Sequence, residues 1–118
     1  MTIQVVPSDN TFAAPANNPT VALAASLIAK ASAGILYGVD IFNSTASAQT
    51  IQLHDSATLP ADTAVPVAVL NLPASGSLQI DYGVHGKAFG LGIVICNSTT
   101  VATKTIGAAT LFIAPRFK

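Results

Sequence analysis

Residues 34–55 read GILYGVDIFNSTASAQTIQLHD, two apolar strands separated by a short polar turn. In the first, Ile35, Tyr37, Val39 and Ile41 alternate with Leu36, Asp40 and Phe42, and Gly38 leaves a gap in the second row. Alternation with a period of two, rich in β-branched and aromatic residues, is the signature of a strand with one buried face. The turn Asn43-Ser44-Thr45-Ala46-Ser47-Ala48 carries short polar side chains that bond their own backbone, so it breaks the apolar run where the chain must reverse. Ile51 and Leu53 then mark the buried side of a return strand over 50–55, and the pair reads as a hairpin.

Working outward, the same pattern recurs. Residues 20–34 are rich in alanine, which favours helix. Leu27, Ala29 and Ala31 nevertheless alternate with Ile28, Lys30 and Ser32, and Gly34 supplies a turn, so the segment is assigned to strand. Residues 56–64 form a loop. Residues 65–72 form an edge strand in which Val65, Val67 and Val69 share a face and Pro66 cannot donate to a central ladder. A tight turn at 74–77 leads to a strand whose Leu78, Ile80 and Tyr82 share a face. After the connection 83–87, residues 89–96 read as a central strand in which Gly90 and Gly92 permit close approach. The last strand covers 105–117, with Leu111 and Ile113 on one side and Phe112 on the other. About seven or eight antiparallel strands result, which predicts an all-β chain folded as a single β-sandwich or jelly-roll-like domain over 21–118.

Ahead of it, residues 1–20 contain Pro7, Pro15 and Pro19 and read as an extended arm. Its apolar residues Ile3, Val5, Val6 and Phe12 are the candidate protein-contact residues, suited to adding a short strand to a neighbour's sheet edge.

Only 8% of the 118 residues are charged, against a usual value of about 25%. Five Asp balance four Lys and one Arg, with no Glu. So neutral a chain offers no electrostatic footprint for nucleic acid and no polybasic stretch for a membrane surface. The apolar run 21–29, broken only by Ser26, is far shorter than the roughly 20 residues of a membrane-spanning helix, and no basic residue ahead of it suggests a secretion signal. Ten charged side chains cannot cover the surface of such a chain, so contact with other protein chains is expected.

The residues with potential chemistry are His54, His85, Asp40, Asp55, Asp81, Tyr82 and Cys96. His54 and Asp55 are adjacent in a strand and point to opposite faces, a poor arrangement for chelation. Asp81 and His85 lie four apart across a glycine turn without a third ligand. No nucleophile-elbow pattern occurs, and the glycines at 83, 86, 90 and 92 precede no helix that would receive a phosphate. Neither catalytic residues, a metal nor a cofactor is assigned, and the chain is read as a non-enzyme. Cys96, the only cysteine, reads as a small buried hydrophobe. Asn43-Ser-Thr and Asn97-Ser-Thr fit the glycosylation sequon but are read as Asx-type turns. The strands leading into them, beginning at Gly38 and Gly92, echo one another through similar strand-end geometry.

Taken in order, Ala33-Gly34-Ile-Leu-Tyr-Gly-Val-Asp-Ile-Phe-Asn-Ser, Ile51-Gln-Leu-His-Asp-Ser-Ala, Thr63-Ala-Val-Pro-Val-Ala-Val-Leu and Tyr82-Gly-Val-His-Gly-Lys-Ala-Phe-Gly-Leu-Gly-Ile resemble small β-sandwich virion proteins of tailed bacteriophages, some similar to capsid decoration (cement) proteins. The likeness covers roughly residues 27–118. Where such proteins often carry an acidic loop before the last strand, this chain has Asn97-Ser-Thr-Thr-Val-Ala-Thr-Lys. The resemblance implies a protein assembled in the host cytoplasm onto the outer surface of a phage head, with the major capsid protein and its own copies, as dimer or trimer, for partners. Two other functions stay open: a head- or tail-fibre module binding host glycans, and a small hydrolase or metal-dependent enzyme using His54 or His85.

Overall fold

The computed structural model describes residues 15–118. The arm residues Ile3, Val5, Val6 and Phe12 lie outside the described residues. All regular structure among those described is β, in nine strands: β1 (Ala16–Asn17), β2 (Ser26–Lys30), β3 (Gly34–Asn43), β4 (Gln49–Asp55), β5 (Ala68–Leu72), β6 (Ser77–Asp81), β7 (Lys87–Phe89), β8 (Ile93–Ser98) and β9 (Leu111–Phe117). No helix of the described residues is long and apolar enough to cross a membrane.

Two antiparallel sheets hold the strands. The first has the order β1-β9-β3-β6, with β7 also paired to β3, and the second β2-β8-β4-β5. Their inner faces share one core: Leu36, Val39, Ile41, Leu111, Ile113 and Phe117 from the first sheet meet Ala29, Ile51, Leu53, Leu72, Ile93 and Ile95 from the second. Burial of these branched side chains is the main driving force for this β-sandwich-like arrangement, at roughly 25 cal/mol per Å² of apolar surface. β5 and β6, joined through residues 73–76, close one side of the sandwich. β1 and β2 close the other, where the Asn18 amide bonds the Ile28 carbonyl and Ala24 bridges to Leu111.

Three sequence expectations are corrected here. The stretch 34–55 is not a hairpin, because β3 and β4 sit in different sheets and face each other across the core. No residue of the 44–48 connection has the positive φ that two-residue hairpin turns use. Asn43, fully buried, instead turns the chain from one sheet to the other. Its Nδ2 donates to the Ser47 and Pro73 carbonyls at 2.8 and 3.0 Å, and its Oδ1 accepts from Thr45 N at 3.0 Å.

The alternation in β3 also changes phase. Its pairing with β9 shifts between Leu36 and Gly38, a bulge at Tyr37, so Leu36 joins Val39 and Ile41 in the core while Ile35 and Tyr37 stay half-buried. Gly38 is required beside the bulge, since a Cβ there would run into the Arg116 guanidinium and the Ile80 carbonyl.

The supposed strand 89–96 is two strands in different sheets. The chain leaves β7 and enters β8 through residues 90–92, whose three amides are held by one carboxylate: Asp55 accepts from Gly90, Leu91 and Gly92 at 3.0, 2.7 and 3.3 Å. A Cβ at Gly92 would collide with the carbonyls of Ser56 and Lys30, so the close approach read from sequence is real there.

Other assignments hold. Of the expected strand over 20–34, residues 26–30 are strand, β8 is central and wholly buried, and Leu111 and Ile113 face inward while Phe112 faces out. β5 is an edge but begins at Ala68 rather than at residue 65, so that of Val65, Val67 and Val69, all exposed, only Val69 lies in the strand. The final strand begins at Leu111, later than expected.

Candidate functional site

The two outer faces of the sandwich carry the polar groups that the core cannot hold. On the β2-β8-β4-β5 sheet, Gln52, His54, Val94 and Cys96 would face solvent by strand alternation, yet each is buried. Residues 99–105 roof them. The Gln52 Nε2 donates to the carbonyls of Thr100, Val101 and Thr103 at 3.0, 3.1 and 3.0 Å, which fixes the roof to the middle of β4. With the amide nitrogen so committed, Gln52 Oε1 must accept, and the proton of that 2.9 Å bond lies on His54 Nε2.

Lys104 completes the roof. Its side chain is 3% exposed and its ammonium lies 2.8 Å from Asp62, which is 51% exposed. Asp62 also accepts from Ile106 N at 3.1 Å, while Thr63 N donates to the Lys104 carbonyl and Lys104 N to the Ala64 carbonyl, each at 2.7 Å. Loop 56–64 is thereby tied to loop 99–105. Thr63 pays in backbone strain: a β-branched residue at φ 81° costs of the order of 1–3 kcal/mol, retained because its neighbours fix the geometry.

The electrostatics follow from that burial. Removal from water, reinforced by the Lys104 charge, lowers the pKa of His54 below its ordinary value. Burial pushes the Cys96 thiol up to about 11, so it is a protonated core group with little nucleophilic character. The hydrogen bond from Lys104, then that from Ile106 N, holds Asp62 below the usual carboxylate range. The amides of Leu91 and Gly90, then Gly92, do the same for Asp55. Burial raises Tyr82.

On the β1-β9-β3-β6 sheet the outer face is bare. Phe42 and Phe112 are direct cross-strand partners, 43% and 42% exposed. Beside them Arg116 Nη1 donates to Asp40 Oδ2 at 3.1 Å, and Asp40 Oδ1 is buried without a protein partner. A shallow groove of about 260 Å³ runs between Phe42, Phe112, Asp40, Ser77 and Gln79.

The structure brings few of the sequence candidates together. Asp81 Oδ1 accepts from Gly83 N at 2.7 Å in a local turn, and His85 is exposed in the same connection. His54 and Asp55 point apart, as read from the sequence, and serve different loops. No three His, Cys, Asp or Glu among the described residues are grouped to hold a metal. The two Asn-Ser-Thr stretches diverge: Asn43 forms the expected Asx turn, whereas Asn97 donates to Gln49 Oε1 and the Ala108 carbonyl at 2.9 and 3.1 Å. The local turn after Asn97 is made by Ser98, whose Oγ accepts from the Thr100 and Thr105 amides at 3.2 and 3.1 Å. Gln52, Asp62 and Lys104 carried no local signal as site residues, since each sits where strand alternation or loop composition predicts solvent.

What these elements define is a class: an all-β, sandwich-like domain whose polar groups serve to anchor loops. No family model, curated protein or solved structure matches the chain.

Proposed function

We propose that the chain is a non-enzymatic structural protein of a tailed-phage virion, a decoration protein that binds the major capsid protein on the outer head surface and contacts its own copies. The observation that carries this reading is the strand order. β1-β9-β3-β6 over β2-β8-β4-β5, with the chain changing sheets at six of its eight connections, supports the jelly-roll reading, an architecture that viral capsid domains share with lectins and cupins. Its surface adds support. Val21, Val65, Val67, Leu91 and Val101 are about half exposed or more, and a nearly uncharged surface lets closely spaced copies sit together without repulsion. Modest apolar contacts repeated around a shell sum to mechanical reinforcement.

Electron microscopy of particles carrying the protein tests it. Density at capsomer junctions is the expected result, and density confined to the tail overturns it. Particles lacking the protein are expected to lose their contents at lower temperature. Replacing His54 or His85 should leave head occupancy unchanged.

One observation favours a second reading, a fibre module binding host glycans. The Phe42–Phe112 pair with Asp40 and Gln79 beside it combines an aromatic platform with hydrogen-bonding groups, as sugar recognition requires. Phe112→Ser abolishing adsorption to host cells while leaving head occupancy intact would favour the fibre role over the cement role.

A further inference from the structure

The sandwich has four lateral edges, and three are blunted. β1 is two residues long. β2 ends in Lys30 and has its Ile28 carbonyl occupied by Asn18. β6 ends in Asp81 and turns Ser77 and Gln79 outward, and β7, which continues that edge, begins with Lys87. Short strands, charges and covered carbonyls are the usual protection against edge-to-edge pairing. β5 carries no charge and no covered carbonyl. No charged residue occurs between Asp62 and Asp81, and Val69 in β5 and Val65 and Val67 just ahead of it are apolar and exposed, at 39%, 74% and 49%.

Its open hydrogen-bonding groups can be assigned. β5 pairs antiparallel with β4, Ala68 opposite Leu53 and Leu72 opposite Gln49, and Val67 N donates to the Leu53 carbonyl. The Leu53 carbonyl thus points to β5, and with it the backbone groups of Ile51 and Gln49, so their direct partners Ala68, Leu70 and Leu72 are the residues that face β4. Val69 and Asn71 therefore turn their N–H and C=O groups to the outside. Pro66 and Pro73 bound this edge, leaving room for about one strand of five residues.

We infer that the edge of β5 receives residues 2–6, Thr-Ile-Gln-Val-Val, of a neighbouring copy as an added strand. That segment has the matching length, is uncharged, and is likewise bounded by a proline, Pro7. Ile3 and Val5 share one face of the added strand and extend the row of Val67 and Val69; Thr2, Gln4 and Val6 take the other. The donor is a second copy because the described chain begins beside β1, on the side of the sandwich opposite β5. Copies set side by side bring the β1 side of one against the β5 side of the next, and residues 7–15 span roughly 30 Å when extended, enough to cross between them. Head-to-tail contacts of this type close into rings when the rotation allows. The inference rests on the proposed self-association and does not require the head.

Amide hydrogen exchange of the full chain tests it, at one protein concentration and after about hundredfold dilution. At the higher concentration the amides of Val69 and Asn71 should exchange about tenfold more slowly than after dilution, while Ala68, Leu70 and Leu72, already bonded to β4, stay unchanged. The double variant Ile3→Lys, Val5→Lys should abolish that difference and reduce the mass in solution to one copy, and Val69→Lys should do the same. Mixing these two variants should restore a complex containing one of each, since one intact donor then meets one intact edge. Protection that is absent, independent of concentration, or retained in the double variant overturns the inference, as does a mixture that stays dissociated. Should Val69→Lys fail to fold by circular dichroism, the double variant, altered outside the described residues, decides alone. A single copy in solution that still decorates heads sinks the edge pairing and spares the cement role, whereas strand exchange without head occupancy does the reverse.

Discussion

The outer faces of the two sheets are built from similar strands and have opposite fates. On the β2-β8-β4-β5 sheet, loops 56–64 and 99–105 fold back over Gln52, His54 and Cys96 and bury a lysine. On the β1-β9-β3-β6 sheet, the Phe42–Phe112 pair and the Asp40–Arg116 ion pair face outward uncovered. The difference teaches where polar residues are stability elements and where they are surface. Gln52 and Asp40 both sit mid-strand at outward positions, but only Gln52 has a loop whose carbonyls depend on it.

The largest effect should therefore come from the roofed face. Gln52→Leu leaves three loop carbonyls and His54 without their partner, and an unmet buried polar group costs about 1–3 kcal/mol. Urea unfolding should show a loss of about 3 kcal/mol, and a loss below 1 would mean that the roof contributes little. Asn43→Ala, which removes the sheet-to-sheet turn, should cost about 2 kcal/mol by the same measurement.

Acid should act on the two faces unequally. His54 has a lowered folded pKa, so the unfolded chain takes up its proton first. Stability from this group is full above pH 6.5 and drains as the pH falls from 6.5 through the folded value. Asp55 and Asp62, also lowered, add a second loss that begins near pH 3.8 and grows as the pH falls through their folded values. His54→Asn should flatten the first phase of a pH series of unfolding midpoints and leave the second; an unchanged first phase would contradict the assignment.

Relief of strain at the clamp is smaller. Thr63→Gly should stabilise by about 1 kcal/mol, since glycine adopts a positive φ freely. The smallest change is expected on the bare face, where Phe112→Ser should alter stability by about 1 kcal/mol or less, the worth of an exposed cross-strand pair. A loss comparable to that of Gln52→Leu would erase the contrast between the faces.

Much of the fold was legible because strand formation is local. Alternation placed Ile51 and Leu53 in the core and set Leu111 and Ile113 on the side opposite Phe112, and Pro66 marked β5 as an edge. The bulge at Tyr37 was not legible, because an extra residue changes the phase of alternation without changing composition. The roof over Gln52 and His54 was invisible for a related reason: polar residues at outward strand positions look the same whether water or a loop covers them.

The sequence by itself determined that the regular structure of the described residues is β, where most strands lie and which side chains are apolar, since backbone propensity and alternation act over a few residues. Only the tertiary structure decided which sheet each strand joins, turning the expected hairpin at 34–55 into an arch and the expected strand at 89–96 into a crossing. It also decided that Lys104 and His54 are buried. Those outcomes depend on contacts between residues far apart in the chain, Gln52 with Thr100, Asp62 with Lys104 and Asp55 with Leu91, and no local pattern encodes them.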